Sequence, residues 1–260
     1  MKVIIRSISL LMMATLVAPL VCIAILSLSP NEGMDIFTTY HGSMHWWRDL
    51  FHDHSWLAAL LNSAWIGLLS ALMALCITLP VALLWRLEKS KAARNALLLA
   101  IISLTIPPIV LAVGLYRTMA AIGMFDTAAG LALSHLAFTV PVASLVLSSR
   151  FIATPIDLYL AAKTLGAGRF HSSFRWLMAT QRITLFGCVG LCMLTSISEV
   201  IVAIYVTDTR VPNIARRALT GITQDISPAG FAAMTAWLLV LTVCLLPLAL
   251  KMTNKRRIYE

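Results

Sequence analysis

Charge is what this sequence has least of. Only 12% of its 260 residues are Asp, Glu, Lys or Arg, about half the roughly 25% of a soluble domain. Too little polar surface remains to cover a globule in water, which excludes a soluble enzyme or binding domain. Cysteine chemistry is missing as well. Cys22, Cys76, Cys188, Cys192 and Cys244 all lie inside apolar stretches, and an odd number with none in a polar loop gives neither a disulfide framework nor zinc spacing. Cys188 and Cys192, four apart on one helix face, read as small buried hydrophobes. No G-x-x-x-x-G-K-[ST] run cradles phosphates, so the chain carries no ATPase of its own. No G-x-S-x-G, H-E-x-x-H or close carboxylate pair in a loop supports catalysis, and the chain is not expected to be an enzyme.

What is present is apolar: 60% of the residues, with a mean hydropathy of +0.88. A bilayer core needs roughly 20 apolar residues in a helix, because backbone groups must be satisfied within the segment. Six stretches qualify and predict an all-α integral membrane protein, with spans over about 8–29, 57–85, 96–117, 128–149, 183–206 and 228–250. The polar pieces between them are short, so residues 1–260 read as one transmembrane domain. Lys2 and Arg6 ahead of an apolar run resemble a signal peptide, but the run is too long and no A-x-A site follows. The first span is expected to be retained.

Orientation follows from counting cations. With the N-terminus inside, 15 of the 20 Lys and Arg fall on the inner side, and most acids, among them Asp53, Asp126 and Asp208, fall outside. That bias is the positive-inside signal. It predicts cytoplasmic termini and accounts for the net charge of +9 without nucleic acid. Trp46, Trp47, Trp56 and Trp85 flank the second span as headgroup anchors. Pro80, Pro107, Pro108, Pro141 and Pro247 lie in spans, where neighbours re-satisfy freed carbonyls. They serve either as static kinks or as the bends of a moving transporter.

One loop is long, 150–182. Pro155 and Asp157 suit a helix opening, Gly166-Ala167-Gly168 ends or bends that helix, and residues 169–177 resume a helical alternation. Two short helices then form a protruding elbow. Small residues at Ala161, Ala162, Gly166 and Ala167 let another protein approach the backbone; the alternative is an amphipathic elbow lying on the membrane.

Ala161-Ala162, Gly166-Ala167 and Phe174 resemble the EAA motif of binding-protein-dependent ATP-binding-cassette (ABC) importer permeases. Asn62-Ser63, Pro107-Pro108, Gly114-Leu115-Tyr116, His135, Pro141, Ser198-Glu199, Pro212 and Ile226-Ser227-Pro228 are similar to residues those permeases carry. The resemblance therefore covers most of the chain and is nearest to the spermidine/putrescine branch, with aminoalkylphosphonate relatives. It implies a type I importer permease fold and a coupling surface of Leu160, Ala161, Ala162, Gly166, Ala167, Phe170 and Phe174. Its expected partners are an ATPase dimer that binds the ATP and Mg, a second permease, a periplasmic binding protein and membrane lipid. The expected location is the bacterial inner membrane. The chain departs from the motif in two places: Leu160 stands where the family has glutamate, and Ala179-Thr180 replaces the closing leucine–proline pair.

Glu199 is the one acid within a span. A charge at depth costs roughly 2.5–3.5 kcal/mol on insertion scales and usually faces a bundle interior or a water path. With Ser198 it reads either as a substrate-path residue or as a structural partner for Arg117. His41, His45, His52 and His54 read as a solvated outer loop and not as a metal site, and His135 as a hydrogen-bonded contact between helices. An ion-coupled secondary transporter is the competing class, disfavoured by a single intramembrane acid and no evident repeat.

Overall fold

The computed structural model describes residues 2–28, 43–223 and 235. Apart from Thr235 the predicted sixth span lies outside them, as do His41, Pro247, Cys244 and the basic C-terminal segment. Every regular element among the described residues is helical: α1 (Lys2–Leu26), α2 (His45–His52), α3 (His54–Glu88), α4 (Lys91–Ile102), a 3-10 turn (Ser103–Thr105), α5 (Pro108–Ala121), α6 (Ala128–Ile152), α7 (Asp157–Thr164), α8 (Arg169–Thr180), α9 (Arg182–Ser198), α10 (Val200–Val206) and α11 (Ile214–Thr223). The segments within α1, α3 and α6 are long and apolar enough to cross a membrane. These match the first, second and fourth predicted spans, and Pro19, Pro80 and Pro141 sit inside them without ending them.

Two predicted spans are not single rods. The third breaks into α4 with its 3-10 turn and α5, bent by 108°. The cause is the proline pair. A residue before proline is driven out of the α region; Ile106 and Pro107 are accordingly extended, at ψ 127° and 134°, and Pro108 opens α5 at a position where its missing N–H costs nothing. The fifth breaks at Glu199, whose extended backbone (φ −83°, ψ 91°) separates α9 from α10.

The chain forms two compact units, 1–61 with 212–243 and 62–211 with 244–260. In the first, α2 and α11 are amphipathic helices in regions expected to be loops. Trp47 donates its indole N–H to Ser27 at 3.2 Å. The Arg217 guanidinium stacks 4.6 Å from the Trp56 ring and meets Asp53 at 3.3 Å. The hydroxyl and N–H of Ser55, and then Arg217, hold the Asp53 carboxyl below its ordinary range.

In the second unit α6 is the central post. Ala71, Ala74, Ala143 and Cys188, all fully buried, let the backbones of α3, α6 and α9 approach closely, as small residues do between membrane helices. A polar seam runs through the same contact. Ser70 and Thr139 hydroxyls lie 3.1 Å apart, and His135 Nδ1 lies 2.5 Å from Ser196 Oγ. His135 is thus an interhelix contact. Cys188 and Cys192 are buried, the latter with its thiol 3.5 Å from the Thr139 carbonyl.

Candidate functional site

The elbow is built by local sequence. Asp157 in the first turn of α7 and Lys163 in the last match the helix dipole at each end. The helix then stops on a Schellman motif: Ala167 N–H donates to the Ala162 carbonyl at 3.1 Å and Gly166 N–H to Lys163 at 3.0 Å. That closure needs a left-handed residue after the cap, and Gly166 supplies it with φ +83°. Three residues later α8 begins. Ser172, buried in its first turn, donates back to the Gly168 carbonyl at 3.0 Å.

Beneath the elbow lies a tightly bonded root. Glu88, the last residue of α3, accepts from the buried Tyr159 hydroxyl of α7 and from Arg169 of α8 at 3.2 Å. One carboxylate therefore holds both short helices. Burial, then the bond to Glu88, pushes the Tyr159 phenol up to about 12, so it stays a neutral donor. Trp176, with no exposed surface, packs edge-on to Phe151 at 5.2 Å and donates to the Pro155 carbonyl at 2.8 Å. Arg86 donates to the carbonyls of Phe151 at 2.6 Å and Thr154 at 2.8 Å. Both carbonyls lie at the C-terminal end of α6, where helix acceptors run short of partners; that of Phe151 also accepts the Thr154 N–H at 3.3 Å. Gln181 donates to the Thr154 hydroxyl at 2.7 Å.

Above that root the surface is apolar and open. Leu165 and Phe170 are 87% and 86% exposed, and Leu158, Leu160 and Phe174 are exposed too. Of the predicted coupling residues, Leu160, Ala161, Gly166, Phe170 and Phe174 are exposed, and Ala162 and Ala167 are half-buried. The structure brings them together on one short elbow. Sequence reasoning missed the root: counting charges for topology assigns no partner to Arg86 or Glu88.

Glu199 and Ser198 lie elsewhere, at the break between α9 and α10. Glu199 is half-buried and stands beside the N–H groups of Ile201 and Val202, where a negative charge complements the start of a helix. Among the described residues no ion pair joins it to Arg117, so the structural-partner reading of Glu199 gains no support. Ser198 turns its hydroxyl back to the Leu194 carbonyl at 2.9 Å. A cavity of about 500 Å³ beside α10 is lined by Val113, Tyr116, Arg117, Ile204 and Tyr205. No cluster of three metal-ligating side chains exists among the described residues. His52 bonds within its own helix, to Arg48 O at 2.8 Å.

No family model matches the chain. It is 28% identical over 200 residues to the trehalose transport system permease protein SugB of Mycobacterium tuberculosis, covering 76% of this chain and 72% of that one. A Streptomyces antibioticus reading-frame product named as an ABC transporter permease is 29% identical over 125 residues, 48% of this chain and 55% of its own length. The fold matches a chain from the crystal structure of a bacterial ABC transporter involved in the import of the acidic polysaccharide alginate. The TM-score is 0.64 at 12% identity, covering 99% of this chain and 96% of that chain. The homologues are ABC transporter permeases, and neither relative is named for a polyamine.

Proposed function

We propose that this chain is the membrane permease subunit of an ATP-driven, binding-protein-dependent importer of a small polar solute. The observation that carries it is the elbow: an exposed apolar crest on two short helices, rooted by side chains to the ends of α3 and α6. Such a crest is costly in water unless a partner covers it, and its root transmits a push on the crest to two long helices. Small displacements of packed elements then switch an assembly between discrete states.

In this reading a partner ATPase binds ATP and Mg, hydrolyses the nucleotide and docks on Leu160, Leu165, Phe170 and Phe174. A second permease completes the path, and a periplasmic binding protein delivers solute to it across the bacterial inner membrane. With Leu160 in place of an acid, docking relies on apolar packing. Glu199 and Ser198, at a helix break, line the path. The substrate reading moves from a polyamine to a carbohydrate, because the relative whose name states a substrate is a trehalose permease.

The test is co-purification of the tagged chain from its native membrane with Phe170→Ser and Leu165→Ser variants. Both side chains are almost wholly exposed, so the fold should survive while the ATPase is lost. An ATPase that remains bound in both variants would refute the elbow as the contact. A second reading, ion-coupled transport, is favoured by the broken helix at Glu199, since discontinuous helices often carry ion sites. Vanadate separates the two: it should stop uptake only if an ATPase drives it.

A further inference from the structure

The α3–α4 turn carries a second concavity, unconnected with the crest of the elbow. Lys89 takes a left-handed conformation at φ +54°, and Ser90 caps α4 by accepting from the Ala93 N–H. This tight reversal folds the last turn of α3 onto the first turn of α4. Arg86, Lys89, Lys91 and Arg94 consequently surround one cavity of about 390 Å³, with Trp85 and Ile152 as its apolar wall.

No carboxylate lines this cavity. Glu88, the acid next in sequence, is taken by Tyr159 and Arg169. Arg86 is fixed in place by the carbonyls of Phe151 and Thr154. The side chains of Lys89, Lys91 and Arg94 have no hydrogen-bond or ion-pair partner among the described residues. A topological role for cations requires them on one side of the membrane; it does not require four of them around one cavity with an indole beside them. Trp favours the headgroup level, and basic pockets between membrane helices suit anionic headgroups.

The geometry points to a binding site for the phosphodiester headgroup of an anionic membrane lipid at the α3–α4 turn. The phosphate sits among Arg86, Lys89, Lys91 and Arg94, and the start of the acyl chains lies along Trp85 and Ile152. A free phosphate would satisfy the cations but leave the apolar wall unused, which favours the lipid. The inference needs only that α3 and α4 lie in a bilayer and does not depend on what the protein transports.

The test extracts and quantifies lipids retained by the full assembly purified from a membrane of mixed phosphatidylglycerol and phosphatidylethanolamine. Wild type should retain phosphatidylglycerol well above its share of the membrane. Lys91→Gln with Arg94→Gln should reduce that enrichment by roughly ten- to thirty-fold, at about a kilocalorie per mole for each cation. Arg175→Gln with Arg182→Gln, which removes equal charge outside the cavity, should leave it unchanged, and Lys91→Arg with Arg94→Lys should preserve it. Equal loss in both neutralised pairs would overturn the site. So would displacement of the lipid by millimolar inorganic phosphate, which would show a free-anion site. Loss of the ATPase with the lipid retained would also overturn it, because the cations would then be a protein contact.

Discussion

Two carboxylates, one near each end of the central helix α6, tie neighbouring segments together, and the two ties are built differently. At the elbow end, Glu88 accepts from side chains, Tyr159 and the largely exposed Arg169. At the other end, the buried Asp126 accepts from main chain: Asp208 N–H at 2.7 Å and Arg210 N–H at 3.2 Å. Its own N–H donates to the Val206 carbonyl at 3.0 Å. Backbone donors fix where the chain leaving α10 must run. Side-chain donors fix how two short helices sit while leaving their outer face free. The Asp126 end is closed by its own contacts, whereas the elbow end is firmly rooted and ready to be gripped.

The largest contrast should come from glycine. A Cβ on Gly130 would stand 2.1 Å from the Met124 carbonyl oxygen, whereas one on Gly166 meets nothing within 4 Å. Gly130→Ala forces backbone apart, and overpacking costs about 1–3 kcal/mol or more; the upper part of that range is expected here. Gly166→Ala has room, and loses only the roughly 1–2 kcal/mol of a left-handed residue with a Cβ. Thermal unfolding of the purified variants would order them, and equal losses would show that the close approach at Gly130 relaxes.

Next come the carboxylates. Asp126→Ala strands two N–H groups and should cost about 1–3 kcal/mol. Asp126→Asn should cost less, since it keeps an acceptor and tolerates the positive φ of 55°. At the elbow, Glu88→Ala leaves the buried Tyr159 hydroxyl without its acceptor. Glu88→Gln keeps that bond and loses only a partly exposed ion pair, worth about 0–1 kcal/mol. The amide should therefore rescue both ends. Failure of Glu88→Gln to rescue would mean that the charge itself holds Arg169 and α8.

The elbow was legible because its signals are local. Pro155, Asp157 and Gly166-Ala167-Gly168 mark helix ends by backbone chemistry: α7 runs between them and α8 starts directly after the glycines. Hydropathy also located α3 and α6, but it measures apolar content and not direction, so the third and fifth spans read as continuous, the third with no more than a kink at its prolines. The Pro107-Pro108 pair carried the signal for the first break; no proline marks the second. The root was illegible for a different reason. Arg86 binds two carbonyls, acceptors that every residue carries, so nothing in the sequence of 151–154 announces a partner. Asp126 likewise meets N–H groups 82 and 84 residues further along.

The smallest expected effect concerns pH and is confined to the elbow. Tyr159 has its phenol raised from 10.0 to about 12, so the folded chain holds this proton more tightly than the unfolded one. Its contribution is fully present below pH 10 and is lost as pH rises from there through about 12. The Asp126 end has no titrating donor, because its carboxylate meets main chain. Limited proteolysis across the 157–181 segment should therefore be unchanged from neutral pH to about 10 and accelerate above it. Tyr159→Phe should already be more susceptible at neutral pH, since Glu88 loses its phenol donor, and should lack the alkaline step that wild type shows. If wild type and Tyr159→Phe loosened with the same alkaline profile, the phenol would not be the group that senses pH. Arg169 would then be left as the principal link between Glu88 and the elbow.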